Sequence, residues 1–230
     1  MTQRSSWILL MIAALVAALA GYGLARKLDS SGPQLASGTW LPGRRDIGDF
    51  RLIDHLGEPF TARELQGKPS LVFFGFTHCP DVCPTTLAKL AQVRKAAALP
   101  ALQVLFVTVD PQRDTPTAMG LYVHAFDPDF IGLTGNPTDI QNLTARFGVA
   151  AARVELPGGD YTMDHSATVF LLDDHAREVA VFTPPFDVKQ IAQDLRTAAP
   201  ELKMSRADGT LLDPLASSAA AGSLQSNKHG

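Results

Sequence analysis

Short continuous apolar runs alternate along this chain with stretches in which apolar residues recur at helical spacing. Leu71 to Phe76 lacks a polar side chain and follows the breaker Gly67-Lys68-Pro69, so it predicts a buried strand. After a break at Thr77 to Pro84, Thr85 to Ala98 places Leu87, Leu90, Ala91 and Val93 on one face of a helix. Leu102 to Val109 predicts a second buried strand. Thr115-Pro116 has the cap-then-proline pattern that starts a helix, here to about Phe126. Phe130 to Leu133 predicts a short strand, Pro137 to Phe147 a helix closed by Gly148, Thr168 to Leu172 and Val179 to Phe182 a strand pair, and Asp187 to Ala198 a last helix. Strand and helix in this order predict an α/β domain with a central mixed sheet flanked by helices. A cysteine motif after the first core strand suits the thioredoxin-like arrangement.

Outside this core the pattern fades. Phe50 to Ile53 is a short apolar stretch before a turn at Gly57, whereas 29–48 is rich in Ser, Gly and Pro and reads as a linker, with the folded domain expected over 49–203. Residues 204–230 turn to Ser, Ala, Gly and Asn and read as a disordered tail. At the other end, Trp7 to Leu24 carries no charge and precedes Arg26 and Lys27. As a helix it reaches about 27 Å, close to the roughly 30 Å of a hydrocarbon core. Residues 1–28 are therefore expected to be a single transmembrane anchor, with a signal peptide cleaved after Ala18-Leu19-Ala20 as the alternative.

A formal charge of −3 and the lack of a Lys/Arg run exclude a nucleic-acid partner as the expectation. No internal repeat, GxxxxGK, HExxH or GxSxG occurs, which removes the common phosphate-loop, zinc-protease and serine-hydrolase readings.

The chemistry concentrates in Cys79-Pro80-Asp81-Val82-Cys83-Pro84, which holds both cysteines of the chain at a strand-to-helix junction. Residues at i and i+4 are neighbours on a helical turn, so both sulfurs can reach one ion or each other. A helix N-terminus favours thiolates. Two thiolates select soft metals, and a histidine would complete a three-coordinate Cu(I) site, whereas zinc would want a fourth ligand. A structural disulfide and a redox dithiol are the competing readings; the short loop gains little from cross-linking, and redox pairs are more often spaced CxxC. His165, in Tyr161-Thr162-Met163-Asp164-His165-Ser166, is expected on a loop brought against the cysteines, with Asp164 orienting it. His78 should face away from Cys79, His55, His124, His175 and His229 should lie at the surface or in the tail, and Met163 offers at most a weak thioether. Asp110 to Pro116 should open at the same end of the sheet, as helix cap, charged rim or both.

These motifs resemble the Sco/SenC family of copper-binding proteins over roughly 49–198. Phe73 to Leu87 is similar to the family's cysteine block, and Asp110 to Pro116, Ile131 to Gly135 and Asp164-His165-Ser166 to three further blocks in order. The resemblance implies copper ligation by Cys79, Cys83 and His165, with Cu(I) and also Cu(II) as cargo. It implies an upstream copper donor and delivery to the binuclear copper centre of cytochrome c oxidase subunit II, or reduction of the receiving cysteines as a thiol-disulfide oxidoreductase. It further implies a bacterial cytoplasmic membrane protein whose soluble domain lies in the periplasm. Two positions depart from the family pattern: Gln112 replaces an acid, and Asp174-His175-Ala176-Arg177 lacks a turn glycine.

Overall fold

The computed structural model describes residues 11–22 and 32–202. In chain order the elements are α1 (11–22), β1 (Gly38–Asp46), β2 (Arg51–Asp54), β3 (Pro59–Thr61), β4 (Ser70–Gly75), α2 (Val82–Ala97), β5 (Gln103–Thr108), α3 (Pro116–His124), β6 (Ile131–Thr134), α4 (Pro137–Phe147), β7 (Ala151–Glu155), β8 (Tyr161–His165), β9 (Val169–Leu172), β10 (Arg177–Phe182) and α5 (Val188–Leu202). Among the described residues eight strands form one sheet in the order β1-β10-β9-β4-β5-β6-β2-β3, while β7 and β8 pair only with each other. The centre is parallel, with Ser70 opposite Gln103 through to Gly75 opposite Thr108, and β9 runs antiparallel on the other edge of β4.

β4 and β5 are buried at every position because helices cover both faces of the sheet, which explains continuous apolar runs rather than alternation. Adjacent residues point to opposite faces. Phe73 accordingly meets Phe106, which in turn meets Tyr122 of α3, while Phe74 meets Phe147 of α4 and Phe170 of β9. Each such fully buried ring contributes roughly 1.5–3 kcal/mol through removal from water. Local signals set the helix ends as read: Thr115 Oγ1 accepts the Ala118 N–H and Asn136 Oδ1 the Asp139 N–H, each followed by proline, and Gly148 closes α4 at φ +67°. The last helix instead runs past Ala198 and Pro200 to Leu202, whose side chain is buried and whose carbonyl accepts the Asp174 N–H.

The expected linker 29–48 requires correction over its second half. β1 pairs antiparallel with β10, Trp40 packs on the core and Ile47 is buried within it. The Asp194 carboxylate on α5 holds the entry to this strand by accepting the N–H groups of Ala36 (2.6 Å), Ser37 (2.8 Å) and Gly38 (3.0 Å) and the Ser37 hydroxyl. Sequence periodicity missed β1 because an irregularity between Trp40 and Arg45, with Gly43 at φ +82°, breaks the alternation. The membrane-anchor expectation falls mostly outside the described residues. Residues 11–22 are helical and exposed, residues 1–10 and 23–31 lie outside, and no helix among the described residues is long and apolar enough to cross a membrane. The expected tail, 204–230, also lies outside.

Two alanines occupy left-handed backbone, Ala98 at φ 53° after α2 and Ala176 at φ 59° in the β9–β10 turn, where the expected glycine is missing. That conformation costs an L residue roughly 1–2 kcal/mol, part of which glycine's greater unfolded freedom offsets. Ala98 is exposed, so Ala98→Gly is expected to stabilise by about 0.5–1 kcal/mol, read from the denaturant midpoint. The Ala176 methyl is buried, and its loss of about 0.8 kcal/mol should leave Ala176→Gly near neutral.

Candidate metal centre

β4 delivers the cysteine loop to the end of the sheet. Cys79 lies in that loop, before Asp81 at the N-cap, and Cys83 is the second residue of α2; they do not share one helical turn as the spacing suggested. The turn nevertheless brings them together: the Cys79 N–H donates to the Phe76 carbonyl (3.3 Å) and the Cys83 N–H to Cys79 Sγ (3.3 Å). One of the unpaired amides of the helix start is thereby used on a sulfur. Both thiols are free; Cys83 is wholly buried and Cys79 partly exposed. Gly75 makes room for this packing, since a Cβ there would stand 2.8 Å from Cys83 Sγ and 2.6 Å from Phe106 Cε2.

His165 is the last residue of β8, at the base of the two-stranded hairpin β7–β8 rather than on an irregular loop. Its Nε2 lies 3.3 Å from Cys83 Sγ, and the three ligand atoms of Cys79, Cys83 and His165 all lie within 4.8 Å of one another. Nδ1 is 3.1 Å from the Ser166 carbonyl. A carbonyl oxygen only accepts, so Nδ1 carries the proton and the Nε2 lone pair faces the sulfurs. The ring acceptor is therefore Ser166, while exposed Asp164 contributes only a nearby negative charge. Phe73 and Phe76 meet the imidazole edge-on at 6.2 and 5.8 Å between centroids.

Burial dominates the electrostatics. It pushes the Cys83 thiol well above its ordinary range, with the hydrogen bond to Cys79 adding to the effect, so the thiolate expected from the helix start is not the resting state. It holds His165 below the ordinary imidazole value, leaving a neutral ring fit to ligate a metal. Two pH effects follow. A metal that binds Cys83 must displace its proton, so metal affinity is expected to rise by about tenfold per pH unit across neutrality, checked by titration at several pH values. The unfolded chain binds a proton at His165 near pH 6.5 that the folded chain refuses, so the metal-free domain should lose stability as pH falls below about 6.5.

A second set of residues, not singled out by the sequence as structural anchors, holds the centre. The Asp114 carboxylate is fully buried and accepts the Thr77 N–H (3.1 Å), the Thr77 hydroxyl (2.6 Å) and the Thr108 hydroxyl (2.6 Å). It ties the cysteine loop to the end of β5, and Thr115 alone caps α3. His78 is exposed beside Thr77 and Asp114 and stands outside the ligand cluster, as expected. His55 and His124 meet edge-on at 4.7 Å near the surface, His175 lies beside Asp174, and His229 is outside the described residues. Met163 packs against the core.

A mixed sheet with helices on both faces and a half-buried Cys-Cys-His cluster at its end defines a thioredoxin-like metal-binding domain. Residues 42–200 match the SCO1/SenC family, and the chain belongs to it. It is 41% identical over 153 residues to an SCO2-like protein of Rickettsia conorii, covering 65% of this chain and 75% of the relative. Among solved structures, ScoI of Bradyrhizobium japonicum with copper bound is 42% identical with a TM-score of 0.61, covering 65% of this chain and 96% of that one. ScoI of Arabidopsis thaliana with copper bound is 33% identical with a TM-score of 0.64, covering 67% and 98%. Two sulfurs and an imidazole on one side of this fold suit copper, and this is a copper-binding family member with a Cys/Cys/His site fitted to that ion.

Proposed function

We propose that the protein is a copper metallochaperone that takes copper from an upstream donor and passes it to the binuclear centre of cytochrome c oxidase subunit II. The observation that carries this reading is the unequal exposure of three converging ligands. Wholly buried Cys83 holds the ion at depth and half-buried His165 completes the site, while half-buried Cys79, in the loop before α2, is the ligand that an incoming thiolate can replace. A soft, low-coordinate site suits Cu(I), and the imidazole also admits Cu(II). The exposed apolar side chains of α1, among them Met11, Leu15 and Leu19, support tethering to a membrane, which in this reading is the bacterial cytoplasmic membrane with the domain on its periplasmic side. Mixing the Cu(I)-loaded domain with a copper-free soluble domain of subunit II tests delivery directly. Copper should move to the acceptor within minutes after separation by gel filtration, and full retention by the donor would sink the reading.

A second reading draws on the Cys83 N–H donated to Cys79 Sγ, a contact that also stabilises a nucleophilic thiolate. Cys79 would attack a disulfide of the acceptor, releasing one thiolate. Cys83 would then displace the second, leaving a Cys79–Cys83 disulfide and a reduced acceptor dithiol. His165→Ala separates the readings, because copper delivery needs the imidazole and this exchange does not.

A further inference from the structure

The hairpin that supplies His165 has little core to hold it. Every residue of β7 is exposed, and among the described residues β7 pairs with β8 alone. Met163 packs against the core and the His165 ring meets Phe73 and Phe76, while at the far end of β8 a polar cluster holds Tyr161. There the Arg113 guanidinium lies 3.7 Å from the centroid of the Tyr161 ring and Nη1 donates to the Tyr161 carbonyl at 3.0 Å. Arg113 Nε pairs with Asp110, and the same carboxylate accepts the Tyr161 hydroxyl at 2.9 Å. Both partners are enclosed, Asp110 almost completely.

Tyr161 and His165 stand four residues apart on one strand and therefore on one face. Gripping Tyr161 fixes both the twist and the height at which the imidazole arrives. Arg113 also lies 5.9 Å from the centroid of Phe76, the ring that meets His165 edge-on. The grip originates in the turn that carries Asp114, closed by the Arg113 and Asp114 N–H groups on the Asp110 carbonyl at 3.2 and 3.0 Å. One turn between β5 and α3 thus holds both halves of the centre. Asp114 takes the cysteine loop through Thr77, and Asp110 with Arg113 takes the histidine hairpin through Tyr161.

We propose that Asp110 and Arg113 are positioning residues that clamp Tyr161, so that His165 is preset against the two thiols as a third copper ligand. The inference rests on the copper reading for its metal readouts, and its structural half stands without metal. The planar fork of arginine is required, because it stacks on the ring while donating to the carbonyl.

The test compares the parent domain with Arg113→Gln, Arg113→Lys and Tyr161→Phe, each first without metal and then loaded with Cu(I). Without metal, amide hydrogen exchange over 161–165 should quicken at least about tenfold in Arg113→Gln and Arg113→Lys, and less in Tyr161→Phe, while β4 and α2 stay protected. With Cu(I), X-ray absorption should change from two sulfurs plus one nitrogen in the parent to two sulfurs alone in Arg113→Gln, with affinity down roughly 10–100-fold. Unchanged hairpin exchange, or a retained nitrogen ligand at parent affinity, would overturn the clamp. Quickened exchange in the Arg113 variants, together with a parent that binds no copper, would instead leave the clamp standing and remove the copper reading. If Arg113→Gln loses protection throughout, Tyr161→Phe decides, since it deletes only the bond to Asp110; parent-like exchange in that variant then counts against the proposal.

Discussion

Replacing Cys83 by serine is expected to lower Cu(I) affinity by at least about a thousandfold, about 4 kcal/mol, the largest loss of any single ligand change. A soft ion in this site depends on sulfur donors, and a buried hydroxyl neither ionises readily nor binds Cu(I) well. Cys79→Ser should lose nearly as much. His165→Ala should lose less, roughly 10–100-fold, because two thiolates still hold Cu(I) in a two-coordinate arrangement. Anaerobic competition titration of the domain against a Cu(I) chelator measures all three. Binding indifferent to His165 would mean that the 3.3 Å approach of its Nε2 to Cys83 serves packing, and the reading would then shift to dithiol exchange.

Asp114→Ala should cost about 3 kcal/mol of stability or more, although Asp114 touches no proposed ligand. Its carboxylate accepts three hydrogen bonds at zero exposure, and truncation leaves the Thr77 N–H and the Thr77 and Thr108 hydroxyls without an acceptor. Asp114→Asn keeps the volume but turns an amide donor toward donors, so it should recover only part of the loss. Denaturant unfolding gives the stability change. Copper titration of Asp114→Asn under native conditions should also show weakened binding, because Thr77 sits two residues before Cys79 and the loop would no longer be pinned. A loss below 1 kcal/mol would place these three donors in contact with water and refute the anchor.

The central strands were legible because burial on both faces turns β4 and β5 into unbroken apolar runs, and α3 and α4 because Thr115-Pro116 and Asn136-Pro137 carry their own start signals. Both cysteines were legible from their spacing at a strand-to-helix junction. β1 was not, because its irregularity hides the alternation and its place comes from β10 and Asp194, more than a hundred residues away. The hairpin β7–β8 was not, because β7 is exposed throughout and β8 is only half-buried, so neither strand shows a buried apolar face to read.

What the sequence determined by itself is local: which segments extend, which coil, where helices begin, and which three side chains have the chemistry for a soft metal. Those properties depend on neighbours a few residues apart. Tertiary structure decided what depends on enclosure and on distant partners. It raised the Cys83 thiol and lowered His165 by desolvation, against the expectation from the helix start. It also gave one turn, from Asp110 to Asp114, the task of holding Thr77 and Tyr161, residues 37 and 51 positions from their carboxylate partners. Pairings over such separations form only when packing has already brought the segments together, so no local pattern announces them.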